Sequence, residues 1–417
     1  MRKDLLTRSE VLEMLNIKAS TLYAYVSRGM IKTAPHPDGR KSLYSRTDVE
    51  RVRSRKRGRP PQVAAAESTM HWGAPVVASA ITQISDGGPV YRTRSAVEMA
   101  RAGVSFESVV QLLMTGMWQD NFAAWPAIDT PDDVKQLMDH YHASPVAGDI
   151  GNLLGMVTLA LGMRGRGAAE IADGASVPAA RLLMQTMAGC LGFLQTPRCF
   201  ATREPFESLA AFILRINRVE PTPETLHTLN GAMIVLADNE LAPATFAARI
   251  AASTNADLFN CVAAAIGSHL GFSTGTATHK VESALLQSTS AKDLGQRKNL
   301  VKEYGASLFG FNHPMYPGGD PRADVILDLV RSLPKLDAGT RNTLTFLDEL
   351  RMQQQAHPGV AIALVVLARA LGMPDGSATA IWVLSRTSGW VAHVLEQRTM
   401  GFLLRPRAKY VGNAIMH

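Results

Sequence analysis

The sequence predicts an all-α protein that follows a small, strongly basic module. Three observations carry this. From Ser95 onward, amphipathic stretches at the spacing of a helix face alternate with short Pro/Gly breaks. The strict in–out alternation of a half-buried strand is scarce. The charge is also uneven: residues 1–60 hold 15 Lys and Arg against 6 Asp and Glu, and the rest of the chain holds 28 against 30. The formal net charge of +7 therefore belongs to the first segment, which points to nucleic acid there and leaves the remainder near neutral.

Taken in order, Thr7-Arg8-Ser9-Glu10 is a capping box that opens a helix through Leu15, with Val11, Leu12 and Leu15 on one face. Asn16-Ile17-Lys18 is a tight turn, and Ser20 caps a second helix, Thr21 to Arg28, closed by Gly29. An extended basic loop from Pro35 to Arg40-Lys41, then Leu43-Tyr44 and a third helix start at Thr47-Asp48, complete the module. This order resembles the winged helix-turn-helix of the excisionase and MerR group. The resemblance implies that Ser20, Thr21, Tyr23, Ala24 and Ser27 face the major groove while Arg40 and Lys41 ride on the wing. Next, Arg57-Gly58-Arg59-Pro60 resembles an AT-hook, whose extended arginines, here Arg57 and Arg59, lie in a narrow minor groove. An Ala/Ser-rich stretch from Gln62 to Met70 reads as a linker.

The helices expected beyond it run Glu98 to Arg101, Glu107 to Thr115, Asp132 to His142, Asn152 to Gly162, Ala179 to Phe193 and Ser208 to Asn217. They continue with Pro223 to Leu236, Ala244 to Ser253, Leu258 to Leu270, His279 to Gln287 and Gln296 to Gly305. The last four are Ala323 to Ser332, Thr340 to Gln355, Val360 to Leu371 and Ala378 to Glu396. The longest apolar run, Gly359 to Ala368, is too short to span a bilayer and reads as a buried helix. Arg164-Gly165-Arg166-Gly167 reads as a plain loop rather than a phosphate cradle.

At 417 residues the chain can bury one large core or two moderate ones, and 46% hydrophobic with 19% charged residues is ordinary for a globular protein. Met1-Arg2-Lys3-Asp4 leads into a polar stretch, so a cytoplasmic protein without membrane association is expected. Three cysteines, Cys190, Cys199 and Cys261, lack ligand spacing and read as small core residues in a reducing compartment. No metal and no tightly bound cofactor is expected.

Chemistry concentrates late in the chain. Gly310-Phe311-Asn312-His313-Pro314-Met315-Tyr316 leads directly to Asp320-Pro321-Arg322-Ala323. Pro314 holds His313 out of the helical region, so an imidazole and a guanidinium share one short loop. Such a pair suits a small anion with a polarisable carbonyl. Ser385-Arg386-Thr387-Ser388-Gly389-Trp390-Val391-Ala392-His393 follows, and then Arg405-Pro406-Arg407-Ala408 with Tyr410-Val411-Gly412. In order and spacing these resemble the citrate synthase family's GFGHRVY…DPRA, SRTxGWxAHxxEQ and RPRxxYxG. The resemblance reaches upstream through Ile84-Ser85-Asp86-Gly87-Gly88, Tyr91-Arg92, Ser105-Phe106-Glu107 and Leu113 to Trp118, and so covers roughly residues 70 to 417.

This resemblance implies a citrate synthase-like large domain (71–277 and 371–417) and small domain (278–370), behind the module at 1–56 and the linker at 57–70. It implies a homodimer and chemistry that joins an acyl-CoA to a 2-oxo acid such as oxaloacetate. His313 would polarise the ketone, and Arg322, Arg386 and Arg405 would grip carboxylates, Arg405 from the partner subunit. The electrophile half is therefore complete.

The nucleophile half is not. Thr274 stands where the family places its enol-stabilising His, and Ala361 where it places the Asp base. Leu236 and Asn239 replace the two histidines of the HADHE pattern, and of these Asn239 still offers an amide. Pro314 and Pro317 stand where basic residues often follow the loop His. Losing the base alone removes a factor of about 10²–10⁴ in rate.

Three readings follow. One is a divergent enzyme of acyl-CoA and oxo-acid chemistry, transferase or C–C lyase, with a coenzyme A thioester as co-substrate. The second is a non-catalytic, DNA-binding sensor of di- or tricarboxylates. The third is a dimerisation scaffold with a vestigial pocket.

Overall fold

The structure, a computed structural model, describes residues 5–15, 17, 19–27, 31–35, 42–46, 48–49, 77–120, 122, 124–140, 149–164, 169–271, 278, 281–282, 310–354, 356–406 and 408. The chain divides into two compact units, Met1–Ala78 with Arg407–His417, and Ser79–Pro406.

In the first unit, helices Arg8–Leu15 and Ala19–Ser27 accompany a three-stranded antiparallel sheet. Ser42–Ser45 is its central strand, with Leu5–Leu6 on one side and Thr33–Pro35 on the other. The capping box forms as its sequence requires: Thr7 N–H donates to Glu10 Oε2 at 2.6 Å, and Glu10 N–H donates back to Thr7 Oγ1 at 3.4 Å. Leu6, Val11, Leu15, Leu22, Ile31, Tyr44 and Val49 make a small core. Arg46, Asp48 and Val49 are helical. Tyr23 is exposed, with the Arg8 guanidinium 5.4 Å from its ring centroid, and Thr21 is half-buried. Arg40, Lys41, Arg57, Arg59 and the side chains of Ser20, Ala24 and Ser27 lie outside the described residues.

The second unit opens with strands Thr82–Ser85, Gly88–Tyr91 and Arg94–Ser95, an antiparallel meander. Strands were not expected here, because pieces of two to four residues are too short to display alternation. Helices follow, several of them opened by a side-chain oxygen. Ser95, Ser105, Ser208, Thr222, Asp257 and Asp320 each accept a backbone N–H of the first turn. Pro223–Leu236 has the expected bounds. Ser176–Gly189 starts earlier than expected and accommodates Pro178 in its first turn, where the missing N–H costs nothing. The helices expected at His279–Gln287 and Gln296–Gly305 lie almost entirely outside the described residues.

The axis of this unit is the 24-residue helix Ser377–Met400, which starts after Gly376 (φ 87°) and stops at Gly401 (φ 68°). It runs past the expected end at Glu396 because no breaker intervenes before Gly401. It packs on Phe106–Thr115, Ser176–Gly189, Pro223–Leu236, Pro243–Ser253, Leu258–His269 and Val360–Ala370. Val360–Ala368 is buried throughout, as its apolar run demanded. Buried hydroxyls on the long helix bond back into it: Ser385 Oγ to Ile381 O at 2.7 Å and Thr387 Oγ1 to Val383 O at 2.9 Å. Cys190 and Cys261 are buried free thiols, whereas Cys199 is exposed and so departs from the core role expected of it. Among the described residues one helical stretch, Ser176–Leu194, is long and apolar enough to cross a membrane, and its apolar window is 67% buried.

Candidate active site

The His313 loop is fixed by a small bridge to the segment before Val360–Ala370. Phe311 pairs antiparallel with Pro358, Gly359 N–H donates to Gly310 O at 2.9 Å and Asn312 N–H to His357 O at 2.8 Å. Asn312, in the left-handed region (φ 59°), accepts His357 N–H on its side-chain oxygen at 2.8 Å. Within the loop, Met315 N–H donates to His313 Nδ1 at 3.2 Å. That assigns the imidazole proton to Nε2 and makes Nε2–H a donor. Burial, then Arg322 and Arg386, hold His313 down at a pKa of about 4, so it is neutral at neutral pH.

Asp320 ends the loop and caps Pro321–Arg331, accepting Arg322 N–H at 3.1 Å. Its carboxylate also takes the Arg322 fork, Nε at 2.9 Å and Nη2 at 2.8 Å. Arg322 Nη1 donates to Asn239 Oδ1 at 2.5 Å. Both charges are 1% exposed. Burial disfavours the charged Arg322, but Asp320 outweighs it and raises the guanidinium pKa. Of Arg322, expected to grip a ligand carboxylate, Nε and Nη2 are both engaged by Asp320.

Arg386 differs. It projects from the long helix, is 4% exposed, and its Nε has no hydrogen-bond partner among the described residues. Among the described residues it forms no ion pair. Burial, followed by Arg322, lowers it to about 10, while Asp238, Tyr91 and Tyr316 act the other way. It stays charged at neutral pH, a buried cation with no ion-pair partner among the described residues.

One turn along the same helix, Gly389 lets the Ala237–Asp238 backbone approach. A Cβ there would collide with the Asp238 carboxylate and the Ala237 carbonyl, and Gly389 N–H donates to Ala237 O at 3.1 Å. Asp238 accepts from His393 Nε2 at 3.2 Å, and His393 Nδ1 faces Arg249 Nη1 at 3.0 Å. Arg249 in turn bonds Glu396 Oε2 at 2.6 Å and Gln397 Oε1 at 3.0 Å. Burial would raise the Asp238 carboxyl, yet His393 and Arg386 hold it below its ordinary value. This buried chain of charges fixes the Leu236–Glu240 turn, and with it Asn239.

The family model "Citrate synthase, C-terminal domain" matches residues 70–407. The chain belongs to the citrate synthase family. Citrate synthase 2 of Bacillus subtilis is 30% identical over 213 residues, 50% of this chain and 57% of that protein. Citrate synthase of Saccharolobus solfataricus is 32% identical over 222 residues, 50% and 58% of the two chains. A 2-methylcitrate synthase of Shewanella oneidensis is 32% identical over 199 residues, 46% and 52%. The chain spans just over half the length of these relatives. Among solved structures, citrate synthase of Thermoplasma acidophilum, a ternary complex with carboxymethyl coenzyme A and oxaloacetate, matches with a TM-score of 0.71. That match covers 82% of this chain and 96% of that one at 19% identity, and it establishes the fold.

Within this citrate synthase fold, His313, Arg322, Asn239 and Arg386 converge, joined by bonds or by mutual electrostatic influence. Ala361, at the start of Val360–Ala370, is 5% exposed and carries no acceptor. Arg405 is exposed at the end of the unit, and Thr274 lies outside the described residues. Sequence reasoning missed the pairing role of Asp320, the Asp238–His393–Arg249 chain and Tyr316. The three networked residues are joined across 144 to 155 positions, and no local pattern signals such a link. Asp320 stood inside the quoted DPRA motif, where its two-residue offset from Arg322 was the available signal.

Proposed function

We propose that the Ser79–Pro406 unit binds an oxo-dicarboxylate of the oxaloacetate class and carries out acyl-CoA and oxo-acid chemistry altered by the loss of the base. The observation that carries this is Arg386, a buried guanidinium whose Nε lacks a partner, beside the neutral donor His313. A doubly charged acid would supply the missing anion, and the Nε2–H of His313 would meet the oxygen on which charge develops. Citrate synthase relatives support the substrate class. Ala361 argues against ordinary condensation of acetyl-CoA, because a thioester α-proton requires a base and alanine offers none. The reaction is then a transfer or C–C bond step with a more readily ionised or decarboxylating CoA thioester, and Arg405 of a partner copy would complete the site.

Thiol release measured with acetyl-, propionyl- and malonyl-CoA, each with oxaloacetate, tests this. The expected result is background with the first two and turnover with malonyl-CoA. Turnover with acetyl-CoA at the level of an ordinary citrate synthase would contradict the altered chemistry. Oxaloacetate is further expected to raise the melting temperature. The absence of any shift with di- or tricarboxylates would favour a scaffold.

A second reading, a carboxylate-responsive DNA-binding regulator, draws on the charge of residues 1–60 and on the helix pair and three-stranded sheet of the first unit. A gel shift that weakens with salt and disappears on deleting residues 1–61 is its test.

A further inference from the structure

Two tyrosines lie in the electrostatic field of Arg386 and Arg322, and they differ in one respect. Tyr91, fully buried, has its hydroxyl occupied: it donates to Ile234 O at 3.0 Å and meets the Asp238 backbone at 3.2 Å. Tyr316 is also buried, at 3% exposed, yet among the described residues its hydroxyl has no hydrogen-bond partner. The ring is held firmly. Arg322 stands over it at 5.1 Å, and the His313 ring is 5.4 Å away, tilted by 41°. The charged groups acting on its phenol are Arg322, Asp320, Arg386 and Glu240. A buried hydroxyl with no partner is destabilising, and such a cost is seldom kept without a ligand that removes it.

We infer that the Tyr316 hydroxyl is a ligand-binding donor of this pocket, giving its hydrogen bond to an oxygen of the bound oxo acid next to His313 and Arg386. This role explains the spacing of the loop. Tyr316 N–H donates to His313 O at 2.9 Å, so one turn delivers the imidazole and the phenol together. The inference rests on the oxo-dicarboxylate reading above.

Tyr316→Phe keeps the ring, and with it the contacts to Arg322 and His313, and removes only the hydroxyl. Calorimetric titration with oxaloacetate should show affinity roughly 10- to 100-fold weaker than wild type. Without ligand, the variant should melt at the same temperature as wild type or higher, because an unsatisfied buried polar group has been removed. Equal affinity in a wild type that does bind oxaloacetate would overturn this inference and leave the pocket reading intact. A ligand-free variant that melts several degrees lower would also overturn it, by revealing a structural partner for the hydroxyl. A wild type that binds no di- or tricarboxylate would overturn both.

Discussion

Two walls of one fold are in contrast. The wall built by His313, Arg322, Arg386 and Asp238 is crowded with charge, most of it buried and all of it held by named partners except at Arg386. At the start of Val360–Ala370, where the sequence resemblance would place the family's base, Val360, Ala361 and Ile362 are buried and apolar. Burying a guanidinium is expensive, whereas burying alanine is not, so the fold still sustains the costly half of the site. On the proposed reading, ligand holding and proton removal are separate in this chain, and the charged wall serves the first.

The strongest way to break this contrast is to put the lost groups back. Ala361→Asp with Thr274→His should raise acetyl-CoA condensation with oxaloacetate by about 10²–10⁴-fold over wild type in a thiol-release assay. No gain in a folded double variant would mean that the charged wall is not arranged for this electrophile. A second prediction concerns how that wall is held. Asp320→Asn removes the partner of a guanidinium 1% exposed and should cost about 3–5 kcal/mol in denaturant unfolding. A loss under 1 kcal/mol would show that Arg322 does not depend on Asp320.

A smaller effect should appear with pH at His269, which packs edge-on against Trp382 at 4.9 Å and Trp390 at 5.6 Å. Burial, aided by Arg386, depresses its pKa to about 3. Folded His269 therefore stays neutral while the unfolded residue takes up a proton below about pH 6.5, so stability falls as pH drops from there toward 4. His269→Phe should reduce that fall by about 2–3 kcal/mol at pH 4. An unchanged pH profile would place the dependence elsewhere.

Much of the helical framework was legible because its signals are local. Thr7 and Glu10 announce a capping box, Pro223 and Leu236 bound a helix, and the run to Ala368 is apolar enough to require burial. Strands of two to four residues at Thr82–Ser95 carry too little pattern to be read. At the site, residue types and their order were legible, including the alanine at 361. Which partner each charge takes was not. Arg322 reads as a ligand grip until its fork is seen on Asp320, and Arg386 and Arg322 look interchangeable in sequence. Only the tertiary arrangement separates a satisfied guanidinium from one awaiting an anion.

Arg386 therefore offers the most direct test. In Arg386→Met the buried charge is replaced by an apolar chain of similar length. Calorimetry should show oxaloacetate binding to wild type and binding weakened by at least about 10²-fold in the variant, whose ligand-free melting temperature equals or exceeds that of wild type. Undiminished oxaloacetate affinity in Arg386→Met would contradict the account.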